Sequence, residues 1–262
     1  MDAPTLFAAA LCLCAAAMFA LWIASLALRD ASIVDIFWGP GFVLIAGAAW
    51  WLGAGGDAER RALASGIVAL WGLRLGAYLA WRNIGRGEDP RYQAMRRHHG
   101  SRFPLASLFT VFGLQCLLMW FVSRPVQAVH VSPGGPLGAL DAAGVMLAGI
   151  GLFFETVGDL QLARFRANPA NANRVMDRGL GHYTRHPNYF GDCCVWWGVY
   201  AIAAATPLGV WTILSPIAMT WLLLRVSGVA LLERSIGKRR PEYASYVART
   251  SAFFPRPPRR AA

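Results

Sequence analysis

The sequence predicts an all-α, polytopic membrane protein with about seven transmembrane helices. Of its 262 residues, 56% are hydrophobic and only 15% are charged, whereas soluble domains carry about 25% charged residues. The apolar residues form long runs, and a membrane-spanning helix needs about 20 of them in succession. This composition excludes a disordered chain and a coiled coil, and it disfavours a soluble two-domain enzyme.

Seven apolar segments follow one another along the chain. The first lacks the positive leading region of a signal peptide and is too long for its apolar core, so we expect a retained span. Gly and polar residues interrupt the second and third segments, and a tight turn precedes the last. The predicted spans are Thr5–Leu28, Ser32–Leu52, Ala62–Trp81, Leu105–Val122, Leu137–Leu160, Tyr189–Ala205 and Leu208–Leu231.

The net charge of +11 is unevenly distributed between the two ends of these spans. The predicted loops on one side hold 20 Lys and Arg residues, and those on the other hold only Arg60, Arg61 and Arg124. The positive-inside rule then predicts an outside N-terminus and a cytoplasmic C-terminus. Topology explains the charge without a nucleic-acid partner, and no obligate protein partner is evident.

The chain is expected to form a single integral membrane domain over residues 1–262. On the outside, the connections Gly53–Arg61 and Arg124–Pro136 are short. The cytoplasmic side receives the richer segments, a loop over residues 161–188 and a C-terminal segment over residues 232–262. A soluble cofactor would therefore bind on the cytoplasmic side.

Ionisable residues within spans are costly and mark candidate functional sites. Asp35 lies in the second span and Arg74 midway along the third, where they could form a structural ion pair or contribute to a site. Glu155 and Asp159 lie one helical turn apart near the end of the fifth span. They are either a solvated helix end or acids that face the basic loop, and we favour the second reading.

The strongest local signal is the polar stretch that runs from Gly179 into an aromatic span. It contains Arg185 and His186 before Pro187, a residue that suits the first turn of a helix. Such a helix N-terminus favours an anionic group such as a phosphate. Asn188 and Asp192 could then bond an amide or a ribose, although an ordinary basic interfacial loop would share this composition.

A second basic and aromatic block follows the last span. It contains Glu233, Tyr243, Tyr246 and Arg249, and it could fold back to close a cofactor site or lie on anionic lipid. The loop Arg86–Tyr92 mixes charges of both signs densely, which indicates an ordered loop. No dinucleotide fingerprint, phosphate-binding loop or metal motif is present, so we expect no metal site.

The motif Arg185–Asp192, followed by Trp196-Trp197-Gly198, resembles the C-terminal signature of the steroid 5-alpha-reductase-like membrane proteins. The chain also looks like the bacterial branch of that family, which is largely of unknown function, in Asp35–Gly39, Glu88–Tyr92 and the block from Leu232 to Ser251. This resemblance implies a bacterial inner membrane. The resemblance covers nearly the whole chain. It implies a membrane reductase that takes NADPH from the cytoplasm and passes hydride to an activated carbon–carbon double bond in a lipid-like substrate.

The resemblance also implies which residues contact the cofactor. Arg185 and His186 belong to the motif itself, and Tyr243 and Tyr246 belong to the closing C-terminal block. The remaining matches are Asp159 and Arg166 after the fifth span, Asn188, and Asp192, which stands where the family usually has Glu.

The proton-donating set of the characterised steroid reductases is absent. Their second span carries a Gln-Glu pair, whereas Asp35 is the only acid in that span here. Trp71 stands at the expected Tyr position, and Arg74 and Tyr78 follow it. We therefore expect Asp35, assisted by Tyr78 and influenced by Arg74, to act on the acid side, with a hydrophobic substrate from the bilayer that need not be a steroid.

Two alternatives remain open. Membrane isoprenylcysteine carboxyl methyltransferases, which use S-adenosylmethionine, are similar in the Arg-His-Pro entry to a late span and in the C-terminal block. The Asp35–Gly39 motif and the number of spans before the signature favour the reductase. A non-catalytic, lipid-binding relative is the third reading.

Overall fold

The computed structural model describes residues 1–172, 174–226, 228–229, 233 and 243–259. Over these residues the chain is helical and contains no strand, apart from one isolated bridge between Thr184 and Ser251. The all-α fold class predicted from the composition is thereby confirmed for the described part of the chain.

Six helices of the described chain are long and apolar enough to cross a membrane, one fewer than predicted. The sixth predicted span is the helix Pro187–Ala203, which has only 17 residues and is not among the six. The end of the seventh predicted span, at residues 230–231, lies outside the described residues. The six helices are Ala3–Leu28, Ile33–Leu52, Ala58–Asn83, Pro90–Val122, Ala139–Ala167 and Gly209–Val226.

The helices are labelled in chain order. In the first half they are α1 (Ala3–Leu28), α2 (Ile33–Leu52), α3 (Ala58–Asn83), α4 (Pro90–His99), α5 (Phe103–Ser107), α6 (Leu114–Val122) and α7 (Arg124–Val131). In the second half they are α8 (Ala139–Ala167), α9 (Leu180–Tyr183), α10 (Pro187–Ala203), α11 (Leu214–Trp221) and α12 (Tyr243–Arg249). A π-helical stretch, Leu108–Gly113, joins α5 to α6.

Internal contacts divide the chain into two compact units. The first unit comprises Met1–Asp141 and Ile202–Ser215, and the second comprises Ala142–Ala201 and Pro216–Ala262. The single membrane domain expected from the sequence thus contains two units, which are described separately below.

The first unit is built on the close packing of α2 against α3. A Cβ atom at Gly39 would lie 2.2 Å from the carbonyl oxygen of Gly72, so the two backbones touch where neither residue has a side chain. Beside this contact the buried rings of Phe42 and Trp71 pack edge to face at 5.4 Å. Small residues at a helix crossing allow the van der Waals packing that drives association in lipid.

The connection Arg124–Pro136, expected to be a plain outside loop, begins with the buried helix α7. His130 of α7 is completely buried, and its Nδ1 lies 2.7 Å from the carbonyl oxygen of Val126. Burial lowers the pKa of His130 to about 4. The loop between α2 and α3 packs on α7, since Gly55 and Gly56 both donate backbone hydrogen bonds to the His130 carbonyl.

A buried ion pair closes this end of the first unit. The guanidinium of Arg60 donates to both carboxylate oxygens of Asp141, at 2.8 and 2.9 Å. It also donates to the carbonyls of Gly135 and Pro136, so nearly all its hydrogen-bonding capacity is used. Arg60 therefore serves as a structural residue that joins the start of α3 to the start of α8.

The second unit depends on glycines spaced seven residues apart on α8 and α10. A Cβ atom at Gly198 would lie 2.6 Å from the Gly144 carbonyl oxygen, and a Cβ atom at either Gly151 or Gly191 would lie 2.5 Å from the carbonyl oxygen of the other. At the next glycine of the series on α8, seven residues after Gly151, Gly158 faces the ring of Pro187. The two antiparallel helices are thus in backbone contact over much of their length.

This packing predicts that Gly151→Ala destabilises the protein while Gly149→Ala does not. The added methyl at residue 151 would meet the Gly191 carbonyl oxygen and the Val195 backbone nitrogen, whereas nothing lies within 4 Å of a Cβ at residue 149. We expect a loss of about 1–3 kcal/mol from overpacking in the first variant. Thermal unfolding of both proteins in detergent measures the difference, and equal stability would contradict the close approach of α8 and α10.

Candidate functional site

Asp35 lies in the first turn of α2 rather than deep in the span. Its Oδ2 accepts a hydrogen bond of 2.6 Å from Arg91, and its Oδ1 accepts one of 2.7 Å from the hydroxyl of Tyr92. From the sequence, Arg74 was the expected partner of Asp35, and neither Arg91 nor Tyr92 was predicted. They come from the start of α4, more than 50 positions along the chain.

The loop before α4 holds Arg91 and Tyr92 in place. Asp89 caps α4 by accepting from the backbone nitrogen of Arg91, and it also accepts from the Nε of the same residue. Arg91 therefore bridges two carboxylates, those of Asp89 and Asp35. The dense charge of this loop indicated an ordered structure, and the hydrogen bonds confirm it.

Glu88 ties the same loop to the start of α2. It accepts two hydrogen bonds from Arg96 and one from the backbone nitrogen of Ala31. Burial alone would raise the pKa of Glu88, but these hydrogen bonds hold it below its ordinary value. The acid–aromatic cluster of Asp35, Arg91 and Tyr92 is thus supported on two sides.

Arg74 and Tyr78, the other catalytic candidates, lie one turn apart on α3 and are both half-buried. The ring of Tyr78 contacts the next turn of its own helix, with Arg82 5.6 Å from its centre and Trp81 at 5.9 Å.

In the second unit, Arg185 and His186 bind a carboxylate of the same chain. Arg185 donates to Glu233 at 2.8 Å, and His186 Nε2 lies 3.1 Å from the same oxygen. Burial would raise the pKa of Glu233, but the hydrogen bonds from His186 and Arg185 and the charge of Arg185 lower it to about 2. Glu233 thus provides an anion at the position where the sequence predicted one from a ligand.

The C-terminal segment folds back over this stretch, one of the two arrangements considered from its composition. Arg185 also donates to the carbonyls of Val247 and Thr250, and its backbone nitrogen donates to Ser251. Thr184 donates to the carbonyl of Phe253 at 2.8 Å. The predicted segment 232–262 is described only at 233 and 243–259, and its other residues lie outside the described part.

Two tyrosines of α12 complete this contact. Tyr246 donates a hydrogen bond to the carbonyl of Gly181, which fixes the orientation of its ring. Burial, together with the negative charge of Glu233, raises the pKa of Tyr243 to about 12. Both phenols therefore stay neutral at physiological pH and act as packing and hydrogen-bonding groups.

A cavity of about 340 Å³ opens beside Tyr246, between the segment after α8 and α12. It contains three arginines, Arg174, Arg178 and Arg249, and one acid, Asp177. Tyr246 and Arg249 were candidates from the sequence. Arg174 and Arg178 could not be separated from the other arginines of the loop 161–188, and Asp177 was missed.

The remaining predicted cofactor residues lie on α8 and α10. Glu155 and Asp159 are both buried, at 2% and 5% exposure, which excludes a solvated helix end. Gly191 lies against Glu155, so the neighbouring Asp192, also buried, belongs to the same region. Asn188 is half-buried in the first turn of α10, and Arg166 is exposed at the end of α8.

Fold and site together define a polytopic, α-helical membrane protein with ordered charged clusters at its helix ends. The chain belongs to the family described as "Protein of unknown function (DUF1295)", whose model matches residues 21–250. Comparisons with curated proteins and with solved structures return no match.

The ion pair of Glu233 predicts a dependence of stability on acidic pH. Because the pKa of Glu233 falls from an ordinary value of 4.5 to about 2 in the folded protein, its contribution is complete above pH 4.5. It is lost as the pH falls from there towards 2. We expect the thermal midpoint to fall over this range in the wild type and to fall less in Glu233→Gln.

Glu59→Gln is the matched control, because Glu59 is an exposed glutamate in the first turn of α3. Its thermal midpoint should follow the wild-type pH profile. A Glu233→Gln profile that coincides with the wild type would show that the ion pair does not stabilise the C-terminal segment.

Proposed function

We propose that the protein is a membrane-embedded, NADPH-dependent reductase of an activated carbon–carbon double bond in a hydrophobic substrate from the bilayer. The observation that carries this proposal is the docking of the C-terminal segment on the motif at Arg185, which builds a cationic cavity beside it. Such a cavity suits a cofactor that carries phosphate groups.

The charge of the cavity favours this reading over methyl transfer. S-adenosylmethionine carries no phosphate, and of its three charged groups only the carboxylate is an anion that a guanidinium would bind. The several phosphate charges of NADPH match a set of three arginines better in both charge and geometry. A non-catalytic relative that binds an anionic lipid headgroup is the remaining alternative, and the ligand experiments distinguish it.

Within the second unit we assign the buried acids and amide of α8 and α10 to the non-phosphate parts of the cofactor. Carboxylates accept hydrogen bonds from ribose hydroxyls, and an amide side chain can both donate to and accept from a carboxamide. The residues proposed for this role are Glu155, Asp159, Asn188 and Asp192, with Arg166 at the end of α8.

In the first unit we assign the proton supply to Asp35 and Tyr92. Reduction of an enone adds hydride to the β carbon and a proton to the α carbon, while an acid polarises the carbonyl oxygen. The Tyr92 hydroxyl donates to Asp35 at 2.7 Å, so the two form one hydrogen-bonded unit. Tyr92 thus takes the assisting role that the sequence analysis gave to Tyr78.

We further propose that the cofactor side is cytoplasmic, with the N-terminus outside. One end of the first unit carries many exposed arginines in and around α4. At the opposite end the charge of Arg60 is neutralised by its ion pair with Asp141, and Arg124 lies between the rings of Phe7 and Trp120. The charge available for topology therefore lies almost entirely at the α4 end.

Cysteine labelling tests this orientation. Ala54, between α2 and α3, and Ser101, after α4, are exposed at opposite ends of the first unit. In a cysteine-free background, Ala54→Cys should react with a membrane-impermeant maleimide in intact cells, and Ser101→Cys only after lysis. The reverse pattern would overturn the orientation.

Thermal stabilisation by ligands tests the proposed activity class. A ligand that binds only the folded state stabilises it by about 2.7 kcal/mol at 100 times its dissociation constant. We expect NADPH to raise the thermal midpoint of the detergent-purified protein and S-adenosylmethionine to leave it unchanged. A shift with S-adenosylmethionine alone would indicate methyl transfer, and no shift with either would favour the non-catalytic relative.

Two variants sharpen this experiment. Asp35→Asn should retain the NADPH shift, because Asp35 is assigned to proton supply. Arg185→Gln should weaken the shift, because it loses the bonds that hold Glu233 and the C-terminal segment. Loss of the shift in Asp35→Asn alone would contradict this division of roles.

A further inference from the structure

The cavity beside Tyr246 lies at the end of the second unit. Phe165, in its wall, stands ten residues after Glu155 on α8, and therefore about 15 Å further along the helix axis. Its other walls come from the segment after α8 and from α12, outside the membrane-spanning helices. This location suits the end of a long cofactor that is remote from the reacting ring.

The fixed charges of the cavity match a dianion. Arg174, Arg178 and Arg249 contribute three positive charges and Asp177 one negative charge. The nearest approach of Arg249 to Asp177 is 3.9 Å, longer than a hydrogen bond, and both side chains are partly exposed. A phosphate monoester carries a charge of about −1.5 to −2 at pH 7.

Two aromatic residues, Phe165 and Tyr246, line the cavity beside these charges. Tyr246 is only 4% exposed and its hydroxyl donates to the Gly181 carbonyl, so it belongs to the packed wall, whereas Phe165 is half-buried. The accessible part of an aromatic ring can pack against a planar ring system. Asn171, whose side-chain nitrogen donates to the Phe165 carbonyl, has a fixed amide in the same wall.

We infer that this cavity binds the 2′-phosphate and the adjoining adenosine of NADPH, and that it thereby selects NADPH over NADH. The inference rests on the proposed function and adds the residues that determine cofactor specificity. Arg174, Arg178 and Arg249 bind the phosphate monoester, which NADH lacks, and the half-buried Phe165 packs against the adenine.

Binding of NADPH and NADH to arginine variants tests the inference. In full-length protein in zwitterionic nanodiscs, Arg174→Gln, Arg178→Gln and Arg249→Gln should each weaken NADPH binding by about tenfold, the scale of one lost charge-assisted hydrogen bond. Their affinity for NADH should stay unchanged. Arg164→Gln is the matched control, because Arg164 is exposed near the end of α8 and does not line the cavity.

The possible outcomes distinguish a failure of this inference from a failure of the proposed function. If NADPH binds but the three variants keep the wild-type ratio of NADPH to NADH affinity, the inference is overturned and the proposed function stands. If neither nucleotide binds the wild type, both are overturned. If the variants bind both NADPH and NADH more weakly, the arginines contribute to nucleotide binding in general, which would also overturn the inference.

Small probes identify the source of the phosphate. Adenosine 2′,5′-bisphosphate should raise the thermal midpoint more than adenosine 5′-monophosphate, and Arg249→Gln should abolish this difference. Stabilisation by phosphatidylglycerol nanodiscs that is lost in Arg249→Gln, without any effect of the bisphosphate, would overturn the inference in favour of a lipid headgroup. An equal effect of inorganic phosphate and the bisphosphate would likewise overturn it.

Discussion

The backbones of α8 and α10 touch at Gly151 and Gly191, and the functional part of the second unit depends on this contact. Helices in lipid gain little from the hydrophobic effect, so their association relies on close packing of this kind. The contact places Glu155 against α10, and Gly158 receives the ring of Pro187 one level further on. Since Pro187 begins α10, the same packing fixes where Arg185 and His186 enter the unit.

Two arginines of the described chain are each held by one carboxylate and two backbone carbonyls. Arg60 is fully enclosed and satisfied in this way, so it can only support the fold. Arg185 is bound by Glu233 and by the carbonyls of Val247 and Thr250, so it ties the C-terminal segment to the start of α10. Breaking either pair would leave a charge in a poorly solvated site, which is strongly unfavourable.

The sequence predicted the helices well where hydropathy determines them and less well elsewhere. The end of α8 continues from Leu160 to Ala167 because residues that favour a helix follow the apolar run. Asp35 was noted in the sequence as the only acid of its span, but its partners Arg91 and Tyr92 come from a distant segment, and no spacing in the sequence reveals such a contact. The seven-residue glycine spacing on α8 and α10 was visible in the sequence and would have predicted their close packing.

The residues proposed to bind the cofactor show the same limit, because the partner of a charged side chain could not be read from the sequence. The sequence placed a ligand anion at Arg185 and His186, because a helix N-terminus after two basic residues favours one. In the structure Glu233 takes that place, where Arg185 forms an ion pair with it and His186 Nε2 lies 3.1 Å from the same carboxylate oxygen. A second anion at this point would have to displace the Glu233 carboxylate from the Arg185 guanidinium, which also donates to two backbone carbonyls. At the neighbouring cavity, Asp177 approaches Arg249 only to 3.9 Å, so this acid does not hold the Arg249 guanidinium as tightly as Glu233 holds that of Arg185. The proposed phosphate site therefore lies at the cavity rather than at the motif, and the motif supports it through the hydrogen bonds from Arg185 to the carbonyls of Val247 and Thr250 in the C-terminal segment.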